Sequence, residues 1–369
     1  MRIALTGGGT GGHIFPIIAV VKKIRELAKS ESDIEFLFLG PKGELEEEAM
    51  GAEFIPIKNI YSGKLRRYFS FRYVVDIFKL LIGFLQAFWQ LLVFMPDAIF
   101  AKGGYASVPV VFAGWFFRIP ILIHESDITP GIANRFSSRF AQKIAISFPG
   151  AANFFNPLKI FLSGNPVREE IKKGNKEEAR KIFHLDSEKK LILVIGGSQG
   201  ARPINESIEK ILPKLLKKYQ IIHITGPAEY EKVVREAGKI GIKPGHGGYF
   251  VYPFLRSELF HAFAAADLVI SRAGASALTE IAANGKPSII IPIESSANNH
   301  QELNAFEFSE AGAAVVLEQD NLGENIFFEK IEEVMENQEI RYKLCERVKK
   351  FYNPKAAQII AEEIIKLAG

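Results

Sequence analysis

A chain of 369 residues with 48% hydrophobic and 24% charged content exceeds one ordinary domain and has the balance of a packed soluble protein, so two α/β domains are expected. The formal charge of +4 is too small to argue for nucleic acid, and the single cysteine, Cys345, excludes an internal disulfide or a multi-cysteine metal site and fits a reducing cytoplasm. Met1-Arg2 runs straight into a strand pattern, so no signal peptide is expected.

Residues 3–5 read as a strand, followed by the glycine run TGGGTGGH at 6–13 and an amphipathic helix over 16–28. A strand over 34–39, an acidic helix over 40–51 and a strand over 56–60 come next, then a basic loop at 61–71. Residues 74–94 form the longest helix candidate and 98–100 the strand after it. KGGY at 102–105 turns into a helix over 108–117, and strands follow at 121–124 and 143–147 with a helix between them. Strand, glycine turn and helix repeated in this way predict a doubly wound parallel sheet.

At 161–168 (FLSGNPVR) the pattern breaks at a glycine- and proline-punctuated joint and then restarts. A strand over 191–195 enters a second glycine loop, GGSQG at 196–200, and strands at 221–225, 249–252, 268–271 and 289–292 continue a second sheet. The expected domains are 1–163 and 164–353, with a terminal helix in 354–369 packing back on the first. Ligands of such sheets sit beyond the carboxyl ends of the strands, so the two sets of loops are expected to face each other across a cleft.

The most informative stretch is 267–305. DLVIS at 267–271 suits the end of a buried parallel strand, and Gly274, Ala275 and Ser276 open a helix whose free N–H groups would cradle a phosphate. Glu280, about one turn further in, is placed to take the hydroxyls of a ribose. The polar, amide-rich loop at 294–301 suits sugar hydroxyls. Phosphate, ribose and sugar together describe a nucleotide-sugar; an ordinary βαβ unit with a polar loop is the competing reading of the same residues.

Two other classes of glycine loop fit poorly. A dinucleotide fold wants an acid at the tip of the second strand, but residues 34–39 run into Gly40 and Pro41, and residues 221–225 run into Gly226. Neither loop carries the Gly-Lys-Ser/Thr ending of a P-loop. An NAD-dependent oxidoreductase stays as the rival from another class. No Asp-x-Asp triplet offers a carboxylate pair for a metal on a diphosphate, so backbone amides at helix starts are expected to carry the phosphate charge, with no cofactor or metal.

GGTGGHIFP at 8–16, GGY at 103–105, HE at 124–125, GNPVR at 164–168, GGSQGA at 196–201, RAGA…TEIAA…GKP at 272–287 and HQ…NA at 300–305 resemble, in this order, the MurG family of N-acetylglucosaminyltransferases. The resemblance covers nearly the whole chain. It implies a GT-B fold of two Rossmann-like domains with the active site between them. It further implies an inverting, metal-independent transfer from UDP-N-acetylglucosamine to lipid I, the polyprenyl-diphosphate-linked muramyl pentapeptide, giving lipid II for peptidoglycan. The implied donor contacts are Thr10, Gly11, Gly12, Asp127, Arg168, Ser198, the backbone at Leu255, then Ala275, Ser276, Ala277, Leu278 and Thr279, with Glu280 on the ribose and Gln301 on the sugar. Gly103, Gly104, Tyr105 and His124 are the implied acceptor contacts. The family's His-Glu-Gln-Asn is replaced by His124-Glu125-Ser126-Asp127, which puts the sugar contact at Asp127 in question, because an ionised carboxylate only accepts hydrogen bonds. Glycolipid synthases and UDP-sugar epimerases share the fold; the epimerase reading has no use for the basic, apolar surface below.

An inverting attack needs a base on the acceptor side. His13, at the end of the first glycine loop, is the expected catalytic base, with Glu125 and Asp127 as competitors and loop capping or acceptor binding as its alternative role. Lys64, Arg66 and Arg67, interleaved with Tyr68, Phe69 and Phe71, suit an anionic membrane surface, which would place the protein peripherally on the cytoplasmic face of the cell membrane. No nucleic-acid recognition motif accompanies this loop. Arg72, Asp76, Lys79, Gly83, Gln86 and Gln90 make a polar or small stripe down the helix at 74–94, so that helix is expected to pack broadly into the first domain rather than to span a bilayer, with an interfacial role as the alternative.

Overall fold

Apolar, β-branched runs stopped by glycine make strands buried on both faces. The structure, a computed structural model, describes residues 1–28, 34–62, 72–197, 200–294, 296 and 299–369, with backbone alone at 72–77. It divides into two compact units, Met1–Arg168 with Asn353–Gly369 and Glu169–Tyr352.

In the first unit β1 (Arg2–Thr6), α1 (Gly11–Leu27), β2 (Glu35–Gly40), α2 (Glu44–Ala52), β3 (Ile57–Asn59), α3 (Arg72–Phe94), β4 (Ala98–Ala101), α4 (Ser107–Phe116), β5 (Ile121–Glu125), α5 (Ile132–Ser137), β6 (Lys143–Ile146) and β7 (Ile160–Leu162) follow in turn. The strands form a seven-stranded sheet in the order β3-β2-β1-β4-β5-β6-β7, and every pairing is parallel. Period-two alternation splits its core. Ile3, Leu5, Phe36, Phe38 and Phe100 face α1, while Ala4, Leu37, Leu39, Ile99 and Ile123 face α3 and α4. Strand order reverses between β1 and β4, where a ligand crevice belongs.

The second unit runs α6 (Lys176–Phe183), β8 (Lys190–Ile195), α7 (Arg202–Leu215), β9 (Tyr219–Ile224), α8 (Tyr230–Lys239), β10 (Tyr249–Tyr252), α9 (Glu258–Ala265), β11 (Leu268–Ser271), α10 (Ala275–Asn284), β12 (Ser288–Ile290), α11 (His300–Glu310), β13 (Val315–Val316), α12 (Glu324–Glu336) and α13 (Gln338–Val348). Its six-stranded sheet, β10-β9-β8-β11-β12-β13, is again parallel throughout, with its own reversal between β8 and β11. The last helix, α14 (Ala356–Ala368), packs on α1 and sends Ile360, Ala361 and Ile364 into the first unit's core.

Two readings need correction. β7 lies at the start of the stretch read as a joint, hidden because it is short and ends at Ser163-Gly164. And α3 does not pack broadly. Gly83 and Gln86 of its stripe lie on the side that packs: Gly83 leaves no room for a Cβ beside the Tyr61 carbonyl, Gln86 Oε1 accepts the Tyr61 N–H at 2.8 Å, and Ala87 and Leu91 are buried. The apolar side is turned out, with Leu85 65% and Trp89 61% exposed beside Leu81, Ile82 and Val93. Exposed Phe112, Trp115 and Phe116 of α4 extend that surface, α3 and α4 being joined by ring contacts such as Phe84–Phe112 at 5.4 Å. A small residue at the contact permits close backbone approach. Among the described residues no helix is long and apolar enough to cross a membrane.

Ile364 is fully buried between α14 and the sheet face that α1 covers. Ile364→Ala should therefore destabilise the first unit by about 2–5 kcal/mol in urea unfolding. A loss below about 1 kcal/mol would mean that α14 adds little to that core.

Candidate functional site

In the first unit the carboxyl ends of β1, β4 and β5 bring together the glycine run before α1, the Lys102–Tyr105 turn and the Ser126–Asp127 turn. Gly104 has φ +85, and a Cβ there would stand 2.9 Å from the Gly8 carbonyl oxygen and 3.6 Å from His13 Nδ1, so only glycine lets the two loops close. Thr10 is the N-cap of α1, and Gly11, Gly12 and His13 are its first residues, where amide hydrogens lack helical partners. His13 Nδ1 lies 2.9 Å from the Gly8 carbonyl oxygen and 3.2 Å from Thr10 Oγ1. A carbonyl only accepts, so Nδ1 carries the proton and the neutral ring keeps its lone pair on Nε2. Burial, with the Lys102 ammonium second, lowers the His13 pKa to about 4, against smaller opposing effects of the Gly8 carbonyl and Asp127. At neutral pH the ring is uncharged, with Nε2 free to accept a proton.

Lys102 is buried and donates from Nζ to Ser126 Oγ. Burial lowers its pKa to about 8, with Glu125 and then Asp127 acting the other way. Glu125 is occupied structurally: Oε1 accepts the Asp127 N–H at 3.0 Å, and Oε2 accepts Gly131 N–H at 3.2 Å and Asn134 Nδ2 at 2.9 Å. Burial, then Asp127, raises its pKa. It shapes the loop that carries Asp127. His124 was expected at the acceptor. It is fully buried, donating from Nε2 toward the Gly164 carbonyl at 3.1 Å and Ser147 Oγ at 3.2 Å, and burial holds its pKa well below the usual value. Gly103, Gly104 and the partly exposed Tyr105 do stand at the strand tips. Arg168 stacks its guanidinium 4.1 Å above the Phe15 ring.

In the second unit β11 ends at Ser271, Gly274 caps α10, and the amides of Ala275, Ser276 and Ala277 form its first turn. Ala275 and Leu278 side chains are buried, and Thr279 donates its hydroxyl to the Ala275 carbonyl at 2.7 Å, so this turn offers backbone rather than side chains. Glu280 is half-buried one further residue along. Leu255 is buried with its neighbour Phe254 exposed, which leaves the backbone as Leu255's contact. Gln301 opens α11, its Oε1 accepting the Ile293 N–H at 3.1 Å and its N–H donating to Ser296 Oγ at 3.2 Å. Ser198 lies outside the described residues, as do Lys64, Arg66, Arg67 and Phe69.

Several supporting residues escaped the sequence reading. Arg272 is buried and donates to the carbonyls of Ile291 and Pro292, both at 3.1 Å, and to Gln319 Oε1 at 2.8 Å, tying β11 to the end of β12. Beneath the second glycine loop Asn205 Nδ2 donates to the Thr225 carbonyl at 3.1 Å, His223 Nε2 donates to Asn205 Oδ1 at 3.0 Å, and Tyr249 O–H donates to His223 Nδ1 at 2.9 Å. The Thr225 carbonyl so fixed leaves no room for a Cβ at Gly200. Only an apolar strand interrupted by a histidine, at 221–224, could have signalled this network.

The profile described as glycosyltransferase family 28 N-terminal domain matches residues 3–146, and that of the C-terminal domain matches residues 191–360. A Clostridium perfringens protein named UDP-N-acetylglucosamine--N-acetylmuramyl-(pentapeptide) pyrophosphoryl-undecaprenol N-acetylglucosamine transferase is 38% identical over 339 residues, 92% of this chain and 91% of its own. A Bacillus cereus protein of the same name, numbered 2, is 37% identical over 364 residues, covering 98% and 99%. The crystal structure of Acinetobacter baumannii MurG superposes with a TM-score of 0.74 at 25% identity, covering 99% of each chain. A Neisseria meningitidis UDP-GlcNAc 2-epimerase shares the fold at 13% identity, with a TM-score of 0.71 and coverage of 99% and 100%.

Burial lowers the His223 pKa to about 3. Below the unfolded value near 6.5 the unfolded chain takes a proton that the folded chain refuses, so stability falls as pH falls from 6.5. Between pH 7 and pH 5 the wild type should lose about 2 kcal/mol more than His223→Gln in urea unfolding. Equal losses would contradict a buried, neutral His223.

Proposed function

The chain belongs to the MurG family of glycosyltransferases, within glycosyltransferase family 28, and from that premise we propose that it transfers N-acetylglucosamine from UDP-N-acetylglucosamine to lipid-linked muramyl pentapeptide, making lipid II. The observation that carries the mechanism is the neutral His13 with its lone pair on Nε2, set among glycine loops at the first unit's strand tips.

In this reading the second unit holds the donor. The α10 amides take the diphosphate, Glu280 the ribose, Gln301 the sugar and the Leu255 backbone the uracil. Helix amides already carry the phosphate charge, so the scheme uses no metal. The first unit holds the acceptor: the α1 start and the Gly103–Tyr105 turn receive its diphosphate, and His13 Nε2 takes the proton of the muramyl C4 hydroxyl. That oxygen forms its bond to the anomeric carbon as the carbon–oxygen bond to UDP breaks on the opposite face, so the anomeric configuration inverts.

The outward apolar surface of α3 and α4 supports a peripheral seat on the membrane that carries the acceptor. A contiguous apolar patch of this kind marks a site of burial, and the aromatic Trp89 and Trp115 suit the bilayer interface.

Purified protein should form product from UDP-N-acetylglucosamine and a short-chain lipid-linked muramyl acceptor, with UDP-glucose and diacylglycerol as poor substitutes; turnover on diacylglycerol instead would overturn the acceptor class. His13→Ala should lower kcat by roughly 10²–10⁴-fold with UDP affinity kept, whereas a fall below tenfold at saturating acceptor would move the base to Asp127. Leu85→Ser with Trp89→Ser should cut binding to phosphatidylglycerol vesicles at least tenfold while sparing turnover of a soluble acceptor; unchanged vesicle binding would remove the membrane role.

A further inference from the structure

The Gly8–Gly9 peptide is held at both ends. Its N–H, on Gly9, donates to Glu46 Oε1 at 2.7 Å, and its carbonyl, on Gly8, accepts from His13 Nδ1 at 2.9 Å. Glu46 is only 4% exposed although it stands in an otherwise solvated run of glutamates, so its carboxylate is taken out of water to meet this one amide. Gly8 has φ +124, and a Cβ there would lie 2.8 Å from Pro41 Cδ and 2.9 Å from Glu46 Oε1, so glycine is required for the carboxylate to approach.

We infer that Glu46 is a positioning residue that orients the His13 base through the Gly8–Gly9 peptide. The inference rests on the reading of His13 as base. Carboxylate, peptide and imidazole form one hydrogen-bonded chain: a negative charge on the amide side polarises the peptide and makes its carbonyl a better acceptor, which holds the proton on Nδ1 and makes Nε2 more basic. This is the arrangement of a base steadied by a third group, with one peptide unit inserted between them. The other charged groups facing His13 are Lys102, after β4, which disfavours the imidazolium, and Asp127, after β5, which favours it. Glu46 acts from the far side of the glycine loop, on α2.

The experiment uses the full chain. Glu46→Gln keeps the shape and removes the charge; Gly43→Ala keeps the charge and displaces it, since a Cβ at Gly43 would collide with Glu46 Oε2. Nitrogen-15 spectra of the His13 ring should show mostly the Nδ1–H tautomer in the wild type and at least a threefold rise of the Nε2–H tautomer in each variant. With UDP-N-acetylglucosamine and a soluble acceptor, kcat should fall roughly tenfold in each at unchanged donor KM. In a His13→Ala background Glu46→Gln should cost nothing further. A folded Glu46→Gln with wild-type tautomer and kcat overturns the inference, and so does an equal loss in the His13→Ala background. A tautomer shift combined with a His13→Ala enzyme near wild-type rate would leave Glu46 as the orienter and remove His13 as base.

Discussion

Both candidate phosphate sites depend on one constraint: a parallel strand followed by a glycine turn that opens a helix leaves amide hydrogens without helical partners at a positive helix end. The first unit does this between β1 and α1, and the second between β11 and α10. In each sheet the turn sits at the reversal of strand order, where flanking helices diverge and leave room. In the second unit side chains there are buried, back-bonded or absent, as at Leu278, Thr279 and Gly274, so the turn presents mainly backbone.

A backbone surface must be held still by what lies beneath it. In the second unit the directional chain from Tyr249 through His223 and Asn205 fixes the Thr225 carbonyl under the glycine loop, and Arg272 staples neighbouring strand ends. In the first unit Glu125 and Asn134 shape the turn that carries Asp127, and Glu46 secures the first loop. These side chains are buried and hydrogen-bonded, which makes the loss of a partner expensive.

The fold was largely legible because glycine-terminated apolar strands followed by amphipathic helices admit few topologies; β1 to β6 and β8 to β12 all lie where the apolar runs lie. β7 was not, being hidden in the stretch read as a joint, nor was β13, which is two residues long. The placement of His13, Glu280 and Gln301 in the first turns of helices that follow a glycine turn or a polar loop was visible too. The residues behind them were not. Glu46 is one of several glutamates in a row, His223 is one polar letter in a strand, and nothing in a sequence says which is buried. Lys102 carried a signal that went unread, a cation at a strand tip before two glycines. That the apolar side of α3 faces outward was not legible either, because a sequence does not say which side of a helix its neighbours cover.

The central claim, that helix-start amides rather than a metal hold the donor diphosphate, is tested most directly by calorimetric titration of UDP into the purified protein, once with EDTA and once with excess Mg²⁺. The account predicts the same affinity, within about twofold, in both solutions. Binding that disappears in EDTA and returns with Mg²⁺ would contradict it.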